Sequence, residues 1–315
     1  MITIVSLNPC IDWQYNISTF TYGGMNRVRR TYQSAASKGT NTAIVLKNLG
    51  HTPFCTGFNF VEGGENVTNK LNALNIPHGF LTIDGSVRVN IKLFEEETGT
   101  MTELNQPGEF VPEVYVKTLK EKIEALSKHS GADGTLVLSG SLPAGVPKDI
   151  YAILSGLWHG KVVLDAEGDA LRLAIESPTP PYAIKPNLFE LESTFNVKLQ
   201  TPQEVADYCH KNIIDKGISF VCVSMGADGA VLVTPYAAYF CPAVSVTVRG
   251  LQGAGDSMVA GLIHGFMTPV AEPDLLRYAI AAATASVTRE GTDLCTGEDF
   301  RAIIKKVPPQ YVVYL

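Results

Sequence analysis

The sequence predicts an α/β protein, with a central, mostly parallel sheet covered by helices on both faces and a small β-sheet lid set into it. Three observations lead there. Short β-rich runs alternate with helix-period stretches along most of the chain, the pattern of a parallel sheet with two helical layers. Two stretches, about 12–34 and 86–106, break the alternation and read as strand–turn–strand of mixed polarity, the second turning at Glu97-Thr98-Gly99-Thr100. Near the C-terminus, Gly253-Ala254-Gly255-Asp256 runs directly into an apolar, helix-period stretch.

Each element has its own signal. Ile2 to Ser6 is a β-branched apolar run and reads as the first strand, with Gly134 to Ser139, Val162 to Asp165 and Phe220 to Ser224 of the same kind. Helix periodicity predicts helices over Asn41 to Leu49, Val114 to Lys128, Gln203 to Lys216, Ala254 to Met267 and Asp274 to Thr288. The last is alanine-rich and apolar almost all round, so it is expected to be buried. The two irregular stretches form the lid; such lids close over a substrate and exclude water, which matters when hydrolysis competes.

Composition narrows the function classes. The chain has 315 residues, 45% hydrophobic and 18% charged, long enough for one large core or about two domains. Its net charge is −6 and its pI about 5.6, with only short basic clusters such as Arg27-Val28-Arg29-Arg30, which argues against a nucleic-acid partner. Six cysteines are scattered without C-x-x-C spacing, and no histidines cluster at metal-ligand spacing, so zinc and a disulfide framework are both disfavoured. Reduced thiols point to the cytoplasm. The first residues lack the basic region of a signal peptide, and no apolar run reaches membrane-spanning length.

The turn at Gly253 to Asp256 carries the chemistry. Gly and Ala let backbone N–H groups at a helix start converge on an anion, phosphate above all. Asp256 would repel a phosphate unless its task is to accept a proton from an attacking hydroxyl, so an anion hole beside a carboxylate base suggests phosphoryl transfer. A plain glycine turn with Asp as an N-cap is the competing reading. A dinucleotide-binding fingerprint would need a third glycine where Met258 stands, and no Walker A motif occurs.

Several motifs then fall in one order. They are Ser6-Leu7-Asn8-Pro9-Cys10-Ile11-Asp12, Asn26-Arg27-Val28, Lys38-Gly39-Thr40-Asn41-Thr42-Ala43 and Arg88-Val89-Asn90-Ile91-Lys92. After them come Leu138-Ser139-Gly140-Ser141-Leu142-Pro143, Ile184-Lys185-Pro186-Asn187-Leu188-Phe189-Glu190, Val223-Ser224-Met225-Gly226-Ala227-Asp228-Gly229, and the Gly-Ala-Gly-Asp turn. The set resembles the ribokinase-like (PfkB) carbohydrate kinases over almost the whole chain, in the branch of 1-phosphofructokinase and tagatose-6-phosphate kinase. It implies a single ribokinase-like kinase domain over 1–315, ATP and Mg²⁺ as co-substrate and cofactor, and a sugar phosphate as substrate.

The resemblance also implies roles. Asp256 matches the catalytic base, and Gly253, Ala254 and Gly255 the anion hole for the transferring phosphoryl group. Asn187 and Glu190 match the motif that places Mg²⁺, through water; alone they would be a helix cap with a first-turn acid. Asp12 and Asn41 match residues that bind sugar hydroxyls, with Gly39 allowing close approach. Arg27, Lys38, Arg88, Asn90, Lys92 and Ser139 are candidates for gripping a phosphate already on the sugar. Arg88, Asn90 and Lys92 alternate along a strand and so share one face. Lys185, Asn187, Ser224, Gly226 and Gly229, with Gly253 and Gly255, are candidates for the nucleotide, and the helix around Ala279 to Val287 for the adenine pocket. Dimerisation through the lid edges is implied as well.

The sequence departs from the family pattern at Ala36-Ser37, where paired glycines are usual, at Glu167, where a small residue is, and at Leu251-Gln252, just before the anion hole. The reading is ATP-dependent phosphorylation of a ketohexose phosphate, with fructose 1-phosphate going to fructose 1,6-bisphosphate. The alternatives are a tagatose-6-phosphate kinase, another sugar or nucleoside kinase, and a catalytically silent relative that binds a sugar phosphate.

Overall fold

The structure, a computed structural model, describes residues 1–313. Its strands are β1 (Ile2–Ser6), β2 (Cys10–Ile17), β3 (Arg30–Ala36), β4 (Pro53–Glu62), β5 (His78–Ser86), β6 (Arg88–Glu95), β7 (Thr100–Asn105), β8 (Thr135–Ser139), β9 (Lys161–Asp165), β10 (Ala183–Ile184), β11 (Phe220–Ser224), β12 (Ala230–Val233), β13 (Ala238–Cys241) and β14 (Tyr311–Val313). The helices are α1 (Lys38–Asn48), α2 (Gly64–Ala73), α3 (Glu113–Ser130), α4 (Ile150–Gly156), α5 (Gly168–Ile175), α6 (Leu188–Phe195), α7 (Pro202–Asn212), α8 (Ala254–Phe266), α9 (Glu272–Val287) and α10 (Gly297–Ile303).

The large sheet runs β14-β13-β12-β11-β10-β9-β8-β1-β4-β5, parallel from β5 through β11 and antiparallel from there to β14. Side chains of a strand point alternately to the two faces, so each central strand feeds two cores. Leu136, Leu138 and Leu164 pack with α3, α4 and α5 on one face; Ile4, Val137 and Val163 pack with α1, α8 and α9 on the other. The apolar helix expected near the C-terminus is α9, and Ala279, Ala281, Ala282 and Ala285 on it are fully buried. It lies close against α8, because a Cβ at Gly261 would stand 2.4 Å from the Tyr278 carbonyl oxygen.

The lid is a separate sheet ordered β3-β2-β6-β7 and is built from the two stretches that broke the alternation. Its register sets Cys10 beside Arg88, Asp12 beside Asn90 and Gln14 beside Lys92, and then Asn90 beside Asn105 and Lys92 beside Glu103. These positions share one face, as the alternation of Arg88, Asn90 and Lys92 predicted.

Two boundaries differ from the sequence reading by more than two residues. Helix α1 begins at Lys38 rather than Asn41, because the Ser37 side chain accepts the Thr40 N–H at 2.9 Å and caps it there. Ser37 has φ −164°, an extended conformation any residue adopts, so the missing glycine is replaced by a cap without strain. The helix expected to run to Lys216 ends at Asn212, and a 3₁₀ turn over 214–216 follows, closed by Gly217 at φ +99°. Among the described residues, no helix is long and apolar enough to cross a membrane.

Candidate active site

Ser6, Ser139, Asp165 and Ser224 end parallel strands β1, β8, β9 and β11, and all four line a crevice at the carboxyl edge of the sheet. That is where ligands bind in open α/β sheets, since helix N-termini and loop side chains converge there. The lid closes one side of a cleft of about 610 Å³. A second cleft of about 920 Å³ adjoins it and shares Asn187, Ser224, Leu251, Ala254 and Gly255 with it. The first is lined mainly by polar and charged groups; apolar Met225, Met258, Ala283 and Val287 help line the second.

The N-terminus of α8 stands where the clefts meet. Gly253 holds φ +73°, a left-handed conformation that glycine adopts without steric cost, and it caps α8 with no side-chain hydrogen bond. The N–H groups of the first turn are therefore left open toward Ala254 and Gly255, which line both clefts. Asp256 sits in that turn, buried, and Asn41 donates Nδ2 to its Oδ2 at 2.8 Å. Burial, and then the negative charge of Asp165, push Asp256 up to about 7, against the pull of Lys38, Asn41 and Lys185. A carboxylate poised near neutrality suits a general base.

A charged group floors the cleft below Asp256. Lys38 Nζ lies 3.4 Å from Asp165 Oδ2 and 3.2 Å from Glu190 Oε1, while Lys185 Nζ lies 3.2 Å from Asp165 Oδ1. Burial works against the charge of Lys38, but Asp165, Glu190 and Asp256 outweigh it and hold its ammonium above the usual range. Burial likewise opposes ionisation of Asp165, but Lys185 and Lys38 outweigh it and keep this carboxylate below its ordinary value.

Most of the expected residues converge. Asp12, Lys38, Asn41, Arg88, Asn90, Lys92, Ser139, Asn187, Glu190 and Gly253 to Asp256 line the first cleft; Ser224, Gly226, Gly229 and again Asn187 line the second. Four of the expected residues take particular places. Arg27 does not line the cleft: it is exposed in the β2–β3 connection, which Asn26 folds back on itself through Thr21. Gly39 is buried against the sheet, where a Cβ would meet Ile4 and Ser6 side chains at 3.2 Å, so its small size serves packing of α1 on β1. Lys38 lines the first cleft and turns toward Asp165 and Glu190. Lys185 lies on the floor of the first cleft, not in the apolar one. Of the Ala279 to Val287 helix, only Ala283, Thr284 and Val287 line the second cleft; the other alanines are core.

Asp165, Gln252 and Asn8 are among the lining residues that were not singled out as site residues from sequence. An acid at the end of a parallel strand was the available signal for Asp165. Gln252 stood out as a departure before the glycine turn, and it donates Nε2 to Asp12 Oδ2. Asn8 holds the turn after β1 to the far loops through Pro107 O at 3.0 Å and Ser141 Oγ at 3.1 Å, contacts of high sequence separation.

With this geometry in view, the family description "pfkB family carbohydrate kinase" matches residues 1–298. The chain belongs to this family. Its pfkB relatives include the 1-phosphofructokinase of Borreliella burgdorferi, 30% identical over 310 residues that cover 98% of this chain and 97% of that one. The 1-phosphofructokinase of Bacillus subtilis is 31% identical over 312 residues, covering 98% of each chain. Phosphofructokinase-2 from Escherichia coli, solved in complex with substrates and products, superposes with a TM-score of 0.87 at 24% identity, covering 98% of this chain and 99% of that one. This pfkB kinase thus has the ribokinase-like fold expected of it.

Proposed function

We propose that this pfkB kinase transfers the γ-phosphoryl group of ATP to fructose 1-phosphate, giving fructose 1,6-bisphosphate. One observation carries the reading: Asp256, raised toward neutrality, stands at the open α8 N-terminus, where an apolar cleft meets a polar one walled by Arg88 and Lys92. The 1-phosphofructokinase relatives, at 30% and 31% identity over nearly the full chain, support the same substrate.

In this reading the adenine occupies the apolar cleft, near Ser224, Gly226 and Gly229, and the γ-phosphate reaches Gly253 to Gly255. The sugar lies under the lid. Asp256 accepts the proton of the attacking hydroxyl through Oδ1, since Oδ2 is engaged by Asn41. Open N–H groups of the α8 first turn meet the charge on the transferring oxygens, which is the larger contribution in such steps.

The donor set near Asn187 fits Mg²⁺ held largely by phosphate and water. Asn187 and Glu190 already form a reciprocal capping box, Asn187 Oδ1 accepting at 2.7 Å and Glu190 Oε2 at 2.8 Å. Among the described residues, no three His, Cys, Asp or Glu side chains gather as an all-protein cage. Glu190 and Asn187 would receive the cation's water ligands, as suits an ion that sheds water slowly. When bound, the ion neutralises charge on the β- and γ-phosphates.

Two lids pairing through their open edges would give a homodimer. Strand β7 is an unpaired edge with Leu104 57% exposed, a liability that pairing removes. A monomeric mass at working concentrations would dismiss it. We place the enzyme in the cytoplasm, acting as one domain over the whole chain.

The test is ADP release with ATP and Mg²⁺ over fructose 1-phosphate, fructose 6-phosphate, tagatose 6-phosphate, free hexoses and nucleosides, with Asp256→Asn as control. Turnover on fructose 1-phosphate alone, lost in the control, is the expected result. Turnover confined to another sugar would replace the substrate; binding of a sugar phosphate without turnover would make the protein a silent relative.

A further inference from the structure

The lid face over the first cleft has a further row of side chains that no motif marked. Strand β7 pairs with β6 so that Glu103 stands beside Lys92 and Asn105 beside Asn90, and cross-strand partners share a face. Glu103 and Asn105 therefore line the cleft with Asp12, Arg88, Asn90 and Lys92, while Leu104 between them belongs to the opposite face. Glu103 Oε2 accepts from Asn105 Nδ2 at 3.1 Å, and its Oε1 lies 3.9 Å from Lys92 Nζ, beyond hydrogen-bond reach. A carboxylate offers about four lone-pair sites, so this one keeps acceptor capacity to spare. Its side chain is 47% exposed and lines the cleft, within reach of a ligand there.

Charge is unevenly placed along this face. At the Glu103 end, Lys92 Nζ lies 3.1 Å from Asp12 Oδ2 as well, so one ammonium stands between two carboxylates and negative charge is in surplus. At the other end, Arg88 donates to neutral oxygens: Asn8 O at 3.4 Å, Asn90 Oδ1 at 3.3 Å and Gln106 O at 2.9 Å. Among the described residues no carboxylate pairs with it, and a guanidinium carries five donors, so its fork keeps both charge and capacity for an anion. A phosphate monoester brings close to two negative charges and suits the Arg88 end. A sugar hydroxyl brings a donor and suits the Glu103 end.

We infer that Glu103 is a specificity-determining residue whose carboxylate accepts a hydroxyl of the sugar and turns the substrate's phosphate toward Arg88. This rests on the kinase reading above. Asp12, on the other side of Lys92, takes hydroxyls as the family resemblance implies, so two carboxylates from β2 and β7 hold one sugar with the ammonium between them. A hydrogen bond to a charged acceptor is stronger than one between neutral groups, which makes Glu103 costly to replace even with its own amide.

Glu103→Gln keeps the shape and removes the charge. Calorimetric titration of wild type and variant with fructose 1-phosphate, fructose 6-phosphate, tagatose 6-phosphate and inorganic phosphate reads the effect without turnover. The sugar phosphate that wild type binds should bind the variant about 10- to 100-fold more weakly, the loss of a hydrogen bond to a charged group. Inorganic phosphate, which has no sugar hydroxyl and is repelled by Glu103, should bind the variant as well as wild type or better. Weaker binding of both ligands would overturn the inference, since Glu103 would then only prop Lys92 and the lid. Equal or tighter binding of the sugar phosphate would overturn it too, leaving Glu103 as a charge that touches no hydroxyl. If wild type turns over a sugar phosphate that the variant binds equally well, the inference alone fails. If wild type binds no sugar phosphate, it fails together with the kinase reading.

Discussion

Asn41, in the first turn of α1, donates Nδ2 to Asp256 Oδ2, in the first turn of α8, at 2.8 Å. The bond spans 215 positions of sequence and fixes the carboxylate's rotation, so that one oxygen is held and the other is available. Thr42 adds a second tie, Oγ1 to the Asp256 carbonyl oxygen at 3.3 Å.

The base can be tested by an isosteric change. Asp256→Asn keeps the shape and can still pair with Asn41 by turning its amide. The expected result is a fall in kcat of about 10²- to 10⁴-fold, the usual contribution of a general base, with ATP affinity little altered. Near-normal turnover in steady-state assays would remove Asp256 from the chemistry.

The same carboxyl sets a pH dependence. Only ionised Asp256 accepts a proton, so kcat/KM should rise with pH through about 7, where burial and Asp165 place it. Asp165→Asn removes one raising charge and frees Lys38 and Lys185, so the acidic limb of the profile should move to lower pH. A limb that stays in place in Asp165→Asn would mean that another group titrates.

Stability should respond in the opposite sense. The unfolded carboxyl ionises near 3.8 and the folded one near 7, so between these values the native state binds the extra proton, and its stability falls as pH rises. At the limit this costs about 4 kcal/mol above pH 7. Asp256→Asn should therefore raise Tm at pH 8 and leave it close to wild type at pH 3.5, as read by calorimetry. A lower Tm at pH 8 would show that the buried charge is compensated.

Two arginines separate the lid from its loop. Arg88→Ala should raise KM for a phosphorylated sugar by about 10-fold or more, as expected for loss of a charged hydrogen-bonding partner, and far more than for a free sugar. Arg27→Ala, exposed and off the cleft, should leave both unchanged. A matching loss in Arg27→Ala would show that the β2–β3 connection folds over the substrate.

Helix packing offers a check independent of catalysis. Gly261→Ala places a methyl group 2.4 Å from the Tyr278 carbonyl oxygen and 2.9 Å from Ala279 Cα, backbone atoms that yield only if α9 shifts. Destabilisation of about 1–3 kcal/mol in urea titration is expected. No change in the unfolding midpoint would mean that α8 and α9 separate easily.

Alternation and local punctuation made the sheet, the two helical layers and the lid segments legible in the sequence, because each is a short-range pattern with a physical period. Motif order made Asp256, Asn41 and the Arg88, Asn90 and Lys92 face legible too. What sequence left open were contacts made across the fold. Whether Arg27 reaches the cleft depends on the path of a connection, and whether Gly39 meets ligand or sheet depends on which way α1 rolls. The partner of Gln252 lies 240 positions away, and no local rule carries that distance.

Strand β3 ends at Ala36, Ser37 caps α1, and Lys38 is already bonded to Glu190 and Asp165 on the cleft floor. The lid is therefore geared to the charged floor through a single residue, with no slack segment between them. A swing of the lid about Ser37 would pivot one residue from an ammonium held between two carboxylates, one of which raises the proton affinity of Asp256. The hinge of the cover and the anchor of the base's charged neighbours are thus adjacent positions of the chain.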